Sequence, residues 1–224
     1  MLMKQTPAHS VVNQDLLGLI PPAARRVVEV GCMHGAMAQA YRAKNPTAEY
    51  VGIDIDPDYA AVAAQACTQA LSGDIEAFTP AQFDKLFPSD VWIFGDCLEH
   101  LRHPWRIVKM IRSAIDADGC LLACIPNAQH WSVQMRLATG AFRYEDSGLM
   151  DRTHVRWFTR LTMMEMFLEA GWRIETAFSR QLSTAAPPAL MEGIRAIAAA
   201  AGSDPEQAAI DANAFQYLFK VVPA

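Results

Sequence analysis

The sequence predicts an α/β fold: a doubly wound, mostly parallel sheet of seven strands with helices on both faces. Three observations carry this. Short apolar runs alternate with helical spacings along most of the chain, and such alternation builds a parallel sheet joined by right-handed crossovers. The run Cys120 to Ile125 is apolar at every position, as in a strand buried on both faces. A glycine-containing loop, Glu29 to Gly35, follows the first apolar run, and an acid, Asp54, ends the second. That order makes a nucleotide half-site at the strand tips.

Residues 1–22 read as a leader ending at Pro21-Pro22, with a short helix over Val11 to Leu19. A strand over 26–30, a helix over 35–44, a strand over 49–54 and a helix over 57–70 follow. Pro57 suits a helix start because its missing N–H would be unpaired there anyway. A short extended piece is expected around Leu71-Ser72, and a helical stretch from Thr79-Pro80 to Leu86. Asp90 to Gly95 is the next strand, set between Pro88 and Asp96. His103-Pro104 opens a helix with Ile107, Val108, Ile111 and Ile115 at helical spacing. Asp118-Gly119 turns the chain into Cys120 to Ile125, which ends at Pro126-Asn127. Residues 128–158 break the rhythm with aromatic, basic and histidine residues. They read as a lid-like insertion after the fifth strand, where such sheets build their ligand crevice. Thr159 caps a helix to Ala170, ended by Gly171. A strand over 172–178, a helix over 189–201 and a strand over 215–222 complete a single domain spanning 1–224.

With 52% hydrophobic and 19% charged residues, the chain can bury a core and does not read as disordered. Its net charge of -5 and lack of a basic stripe make nucleic acid an unexpected partner. No apolar stretch is long enough to cross a bilayer, so no membrane partner is expected either. Five cysteines, at 32, 67, 97, 120 and 124, follow no disulfide framework. Reduced thiols and a cytoplasmic setting are expected. The early Lys4 lacks the long apolar core of a signal peptide. Cys120 and Cys124 share one strand face and read as small packing residues. No metal site is expected.

A dinucleotide fingerprint would need glycine at position 33, which is Met33, and no Gly-Lys-Ser/Thr follows to make a phosphate loop. The motifs instead carry a family resemblance. Val28-Glu29-Val30-Gly31-Cys32-x-x-Gly35 resembles the first motif of class I S-adenosylmethionine-dependent methyltransferases. Val51 to Asp56 and Gly73-Asp74-Ile75 resemble the second and third, and Asp96 to Leu101 resembles the segment after the fourth strand. Gly148 to Thr159 looks like a stretch found in a ubiquinone-biosynthesis-like, small-molecule subgroup. The resemblance runs from about Val27 to Trp172.

It implies a Rossmann-like fold and S-adenosylmethionine as cofactor. Gly31, Cys32, Met33 and Gly35 would line the methionine moiety, and Glu29 would orient their loop. Asp54 would hold the ribose, with Ile55 against the adenine. Asp74 and Ile75 would bracket the adenine, and Asp96, Cys97 and Leu98 would close the site. The departure is Met33, where the family places glycine. Its side chain must turn away, or the loop must shift.

Acceptor chemistry is read from the residues. His100 and His154 are the candidate bases, because imidazole titrates near neutrality; capping a helix and bracing the insertion through Asp151 are their structural alternatives. Arg152 and Arg156 suit an acidic substrate, or ion pairs with Asp151 or Glu145. Trp131, Phe142, Tyr144 and Trp157 suit a flat acceptor slot, or core packing. The expected function is methyl transfer to an oxygen or nitrogen of a small molecule. Met33 keeps a second reading, a non-catalytic subunit of the same fold. Met33 and Gly35 together disfavour a third, an NAD-dependent oxidoreductase. A homodimer through the N-terminus or the 189–201 helix is compatible with the sequence.

Overall fold

A computed structural model of the chain describes residues 6–224; residues 1–5 of the expected leader lie outside the described residues. The elements run α1 (Gln14–Leu19), β1 (Arg26–Val30), α2 (Ala36–Lys44), β2 (Glu49–Asp54), α3 (Pro57–Ala63), β3 (Gln69–Ser72), α4 (Pro80–Asp84), β4 (Val91–Gly95), α5 (Pro104–Ala114), β5 (Cys120–Pro126), α6 (Trp131–Ala138), α7 (Arg160–Glu169), β6 (Trp172–Arg180), α8 (Pro188–Ala200), α9 (Pro205–Asn213) and β7 (Gln216–Pro223). One sheet of seven strands has the order β3-β2-β1-β4-β5-β7-β6. Its strands are parallel except β7, which runs antiparallel to both β5 and β6. The chain reverses its winding between β1 and β4, so their carboxyl ends part to leave a crevice.

Side-chain alternation divides the core between the two faces of the sheet. Val28, Val51, Trp92, Phe94, Leu121 and Phe219 meet Phe83 of α4, Ile107 of α5 and Phe167 of α7 on one face. Val27, Tyr50, Ile93, Leu122 and Leu218 meet Leu16 of α1, Met37 of α2 and Ala63 of α3 on the other. Cys120 and Cys124 belong to this second face, and both thiols are buried and free. Among the described residues, no helix is long and apolar enough to cross a membrane.

Three differences from the sequence reading have local causes. The helix expected over 57–70 stops at Ala63, because Thr68 must return its N–H to Tyr50 and start β3 beside β2. Residues 128–158 contain a helix, α6, capped by the His130 side chain on Ser132 N–H. The α8 helix gains a partner, α9, whose Ala209 and Ala212 cover Met191 and Ile194. Asp204 and Pro205 open α9 with an N-cap and a first-turn proline.

His130 gives the fold a testable pH response. Burial pushes its pKa down to about 4, and its Nδ1 lies 2.8 Å from Ser132 Oγ. The folded state therefore resists a proton that the unfolded chain accepts near pH 6.5. Its contribution is complete above pH 6.5 and is lost as pH falls from 6.5 towards 4, by about 1.4 kcal/mol per unit at most. His130→Asn keeps a capping acceptor and should flatten this part of a urea-denaturation pH profile. An identical slope in the variant would assign the pH response to other groups.

Candidate functional site

The crevice beyond β1, β2 and β4 holds a cavity of about 240 Å³. Gly31 and Met33 wall it from the first loop, Asp54 and Ile55 from the tip of β2, and Asp74 and Ile75 from the turn after β3. Asp96, Cys97, His100 and Leu101 wall it from beyond β4. Apolar walls with few convergent polar groups are the usual character of a small-molecule site.

Backbone strain and hydrogen bonds shape the first loop together. Gly31 has φ +77°, and a Cβ there would lie 3.2 Å from Cys97 Sγ, so glycine is needed for the close approach of loop and strand tip. Met33 also has positive φ, 46°, a conformation uncommon for a non-glycine residue. Its N–H donates to Asp54 Oδ2 at 2.8 Å, which holds the loop to β2. The Asp54 Oδ1 accepts from Asp56 N–H at 2.9 Å. Each carboxylate oxygen has further acceptor capacity, and the carboxylate borders the cavity. Burial raises the Asp54 pKa, against the two backbone donors, which lower it.

Four other expected cofactor residues, Glu29, Cys32, Gly35 and Leu98, lie behind the wall. The Glu29 carboxyl is buried, accepts from Tyr50 O–H at 2.8 Å, and is pushed up to about 7 by burial. Cys32 is buried beside Cys67, with both sulfurs packed over Gly52. Gly35 caps α2 with φ +77°, and a Cβ there would meet Ala63 and Ala66 of the α3 region. Its role in the structure is helix packing. Leu98 is wholly buried in the core. Asp74 borders the cavity and caps the turn Ile75–Ala77 through Glu76 N–H. Asp96 has φ 54°, accepts from the Gln216 side chain, and is raised to about 6 by burial.

The expected acceptor residues divide. His100 lies on the cavity wall, and His154 stands behind it, with ring centroids 4.8 Å apart. Both Nε2 atoms face Glu99 Oε1, at 3.9 and 3.8 Å. A short network holds them. Asp151 accepts from Thr153 N–H and O–H at 2.7 and 2.6 Å, and Thr153 O lies 3.2 Å from His100 Nδ1. Burial, then the neighbouring His100, pushes His154 down to about 4. Burial also lowers His100 and raises Glu99 well above the carboxylate range.

Trp131, Tyr144, Arg152, Arg156 and Trp157 are not brought to the cavity wall. Arg152 pairs with Asp146 at 2.6 Å, and Glu145 is taken by Arg136. Arg156 donates to Arg102 O at 2.9 Å and sits 5.7 Å over the Trp105 ring. Trp157 and Phe142 pack with tilted rings 5.5 Å apart beside Val133 and Leu149, whereas Trp131 packs in the α8–α9 cluster. Tyr144 is exposed beside Phe142.

Sequence reasoning missed Thr6, Tyr59, Glu76 and Thr153 on the wall, and Glu99 behind it. Thr6 comes from the leader, where its O–H donates to Asp151 at 2.9 Å, a contact between distant segments without a local signal. Glu99 did have one: an acid between Leu98 and Leu101, next to His100.

A family model described as a methyltransferase domain matches residues 8–177. Among solved structures, the chain resembles the magnesium protoporphyrin IX methyltransferase of Synechocystis, determined with bound S-adenosylhomocysteine, at 12% identity and a TM-score of 0.59 over 95% of this chain and 81% of that one. It resembles the plantazolicin methyltransferase BpumL, also with S-adenosylhomocysteine, at 14% identity and a TM-score of 0.57 over 89% and 76%. The mitomycin 7-O-methyltransferase MmcR aligns at 15% identity and a TM-score of 0.55 over 91% of this chain, which spans 50% of that enzyme. At these identities the likeness is one of fold. No match was found among proteins of curated function.

Proposed function

The chain belongs to the methyltransferase-domain family, and on that premise we propose that it transfers the methyl group of S-adenosylmethionine to an oxygen or nitrogen of a small molecule. The observation that carries this reading is the Asp54 carboxylate at the switch-point cavity, fastened to the glycine loop through Met33. When bound, the cofactor supplies an electrophilic methyl group on a sulfonium. Asp54 would hold a ribose through its free acceptor capacity. Ile55, Asp74 and Ile75 would flank the adenine, while Gly31 and Met33 would lie along the amino-acid end. The positive φ at Met33 fits such a group: it bends the loop while the amide is turned to Asp54. Supporting the small-molecule reading, three structural relatives are named as methyltransferases of mitomycin, plantazolicin and magnesium protoporphyrin IX.

Direct displacement asks the protein mainly to align the acceptor and exclude water. His100 and His154 serve the acceptor rather than the cofactor. His154→Ala should therefore lower turnover about a hundredfold, the low end for a group acting on a proton in flight, with S-adenosylhomocysteine affinity within about twofold. Steady-state rates and calorimetric titration on one preparation check this. Wild-type turnover would return the imidazole to a structural role.

Calorimetric titration with S-adenosylhomocysteine and with NAD tests the reading as a whole. Binding of the first and not the second is expected. Binding of neither would favour a non-catalytic subunit.

A further inference from the structure

The group Glu99, His100 and His154 has a feature that proton transfer alone does not explain. The Glu99 side chain is 1% exposed, yet neither carboxylate oxygen accepts a hydrogen bond from the protein. A buried polar group without a partner is destabilising, and more so when charged, so such a group calls for a cause. The two imidazoles beside it do not supply the missing donor, because 3.8 and 3.9 Å are too long for hydrogen bonds.

The groups behind the imidazoles show which way the rings face. Thr153 O–H donates to Asp151, so His100 Nδ1 is left to donate to Thr153 O. His100 then turns an unprotonated Nε2 towards Glu99, and the His154 Nε2 faces the same carboxylate oxygen from 3.8 Å. A ring N–H held by a carbonyl, with the opposite nitrogen presented inward, is the arrangement of metal-binding histidines. The three donor atoms lie within 4.8 Å of one another. A divalent ion held tetrahedrally by bonds of about 2.1 Å sets its ligands roughly 3.4 Å apart, so the widest pair would close by about 1 Å or more through side-chain rotation.

We infer that Glu99, His100 and His154 form a binding site for one borderline divalent transition-metal ion, such as Zn(II), Fe(II) or Co(II). Two imidazoles and one carboxylate are the donor set for that class rather than for magnesium or calcium. The ion joins two parts of the fold. Glu99 and His100 follow β4, whereas His154 lies in the segment between β5 and α7. The Glu99 carbonyl already accepts Val155 and Arg156 N–H at 3.0 Å, so the ion would reinforce an existing seam beside the cavity. Three protein ligands leave coordination positions open, and His100 borders the cavity. Resting on the proposed function, one open position would take the acceptor oxygen.

Chelator-stripped protein titrated with Zn(II), and separately with Co(II), tests the site without cofactor or acceptor. One ion per chain, a higher melting temperature, and a Co(II) spectrum lacking the thiolate charge-transfer band are expected. Glu99→Gln and His154→Asn should each weaken binding at least about a hundredfold, beyond the ten- to hundredfold that changes outside a ligand set produce. In chelator, Glu99→Gln should melt no lower than wild type, because it removes an orphaned carboxylate; if either variant fails to fold, the other decides. Absence of stoichiometric binding by wild type, unaltered binding in a folded variant, or a thiolate-dominated Co(II) spectrum would overturn the site. Metal binding without S-adenosylhomocysteine binding would leave the site standing while methyl transfer fell, and the reverse outcome would do the opposite.

Discussion

Asp54→Ala is expected to weaken S-adenosylhomocysteine binding tenfold or more, from the loss of about 1.5–3 kcal/mol in hydrogen bonds to a charged group. Two losses would act together. The ribose hydroxyls lose their acceptor, and the Met33 N–H loses the partner that holds its left-handed backbone. Asp54→Asn separates them poorly. Both carboxylate oxygens accept backbone N–H groups, so either placement of the amide sets its NH2 against a donor. A weakened Asn variant is therefore expected as well. Titration calorimetry on protein with a wild-type melting temperature is the measurement, and unchanged affinity in Asp54→Ala would remove this carboxylate from the site.

The sheet was legible because each strand has a local signature. Val27 to Val30, Asp90 to Gly95 and Cys120 to Ile125 are apolar enough to require burial, and Pro57, Pro104 and Thr159 mark helix starts that the structure keeps. Asp54 was legible for the same reason: a strand tip places it. The segment between β5 and α7 was not. Arg152, Arg156 and Trp157 have the chemistry of a binding surface, but their partners, Asp146, Arg102 O and Phe142, are fixed only by tertiary packing. Glu99 shows the opposite limit. Its position could be read, but its isolation depends on what does not face it, which a sequence cannot express.

The largest stability effect is expected at Asp211, which ties the C-terminal helices to the segment beyond β5. Its buried carboxylate Oδ1 accepts from Tyr217 O–H at 2.7 Å, Arg160 Nε at 2.8 Å and Gln207 Nε2 at 2.9 Å. Its carbonyl accepts from Asn127 Nδ2, also at 2.7 Å, just where β5 ends. Asp211→Ala would leave the Arg160 charge and the Tyr217 hydroxyl without their shared acceptor. Breaking such a buried pair from one side costs about 3–5 kcal/mol. The Arg160 side chain keeps 31% exposure, so water can take up part of its charge and the loss should fall at the lower end. Asp211→Asn retains an acceptor and should lose less, about 1–2 kcal/mol. Urea denaturation of both variants gives the comparison, and an alanine variant within about 1 kcal/mol of wild type would show that these three donors find other partners. The site should feel the change indirectly. With Asn127 less firmly seated, the segment that delivers Thr153 and His154 loses its base, so turnover should fall in Asp211→Ala while the Asp54 end of the cavity keeps its affinity for S-adenosylhomocysteine.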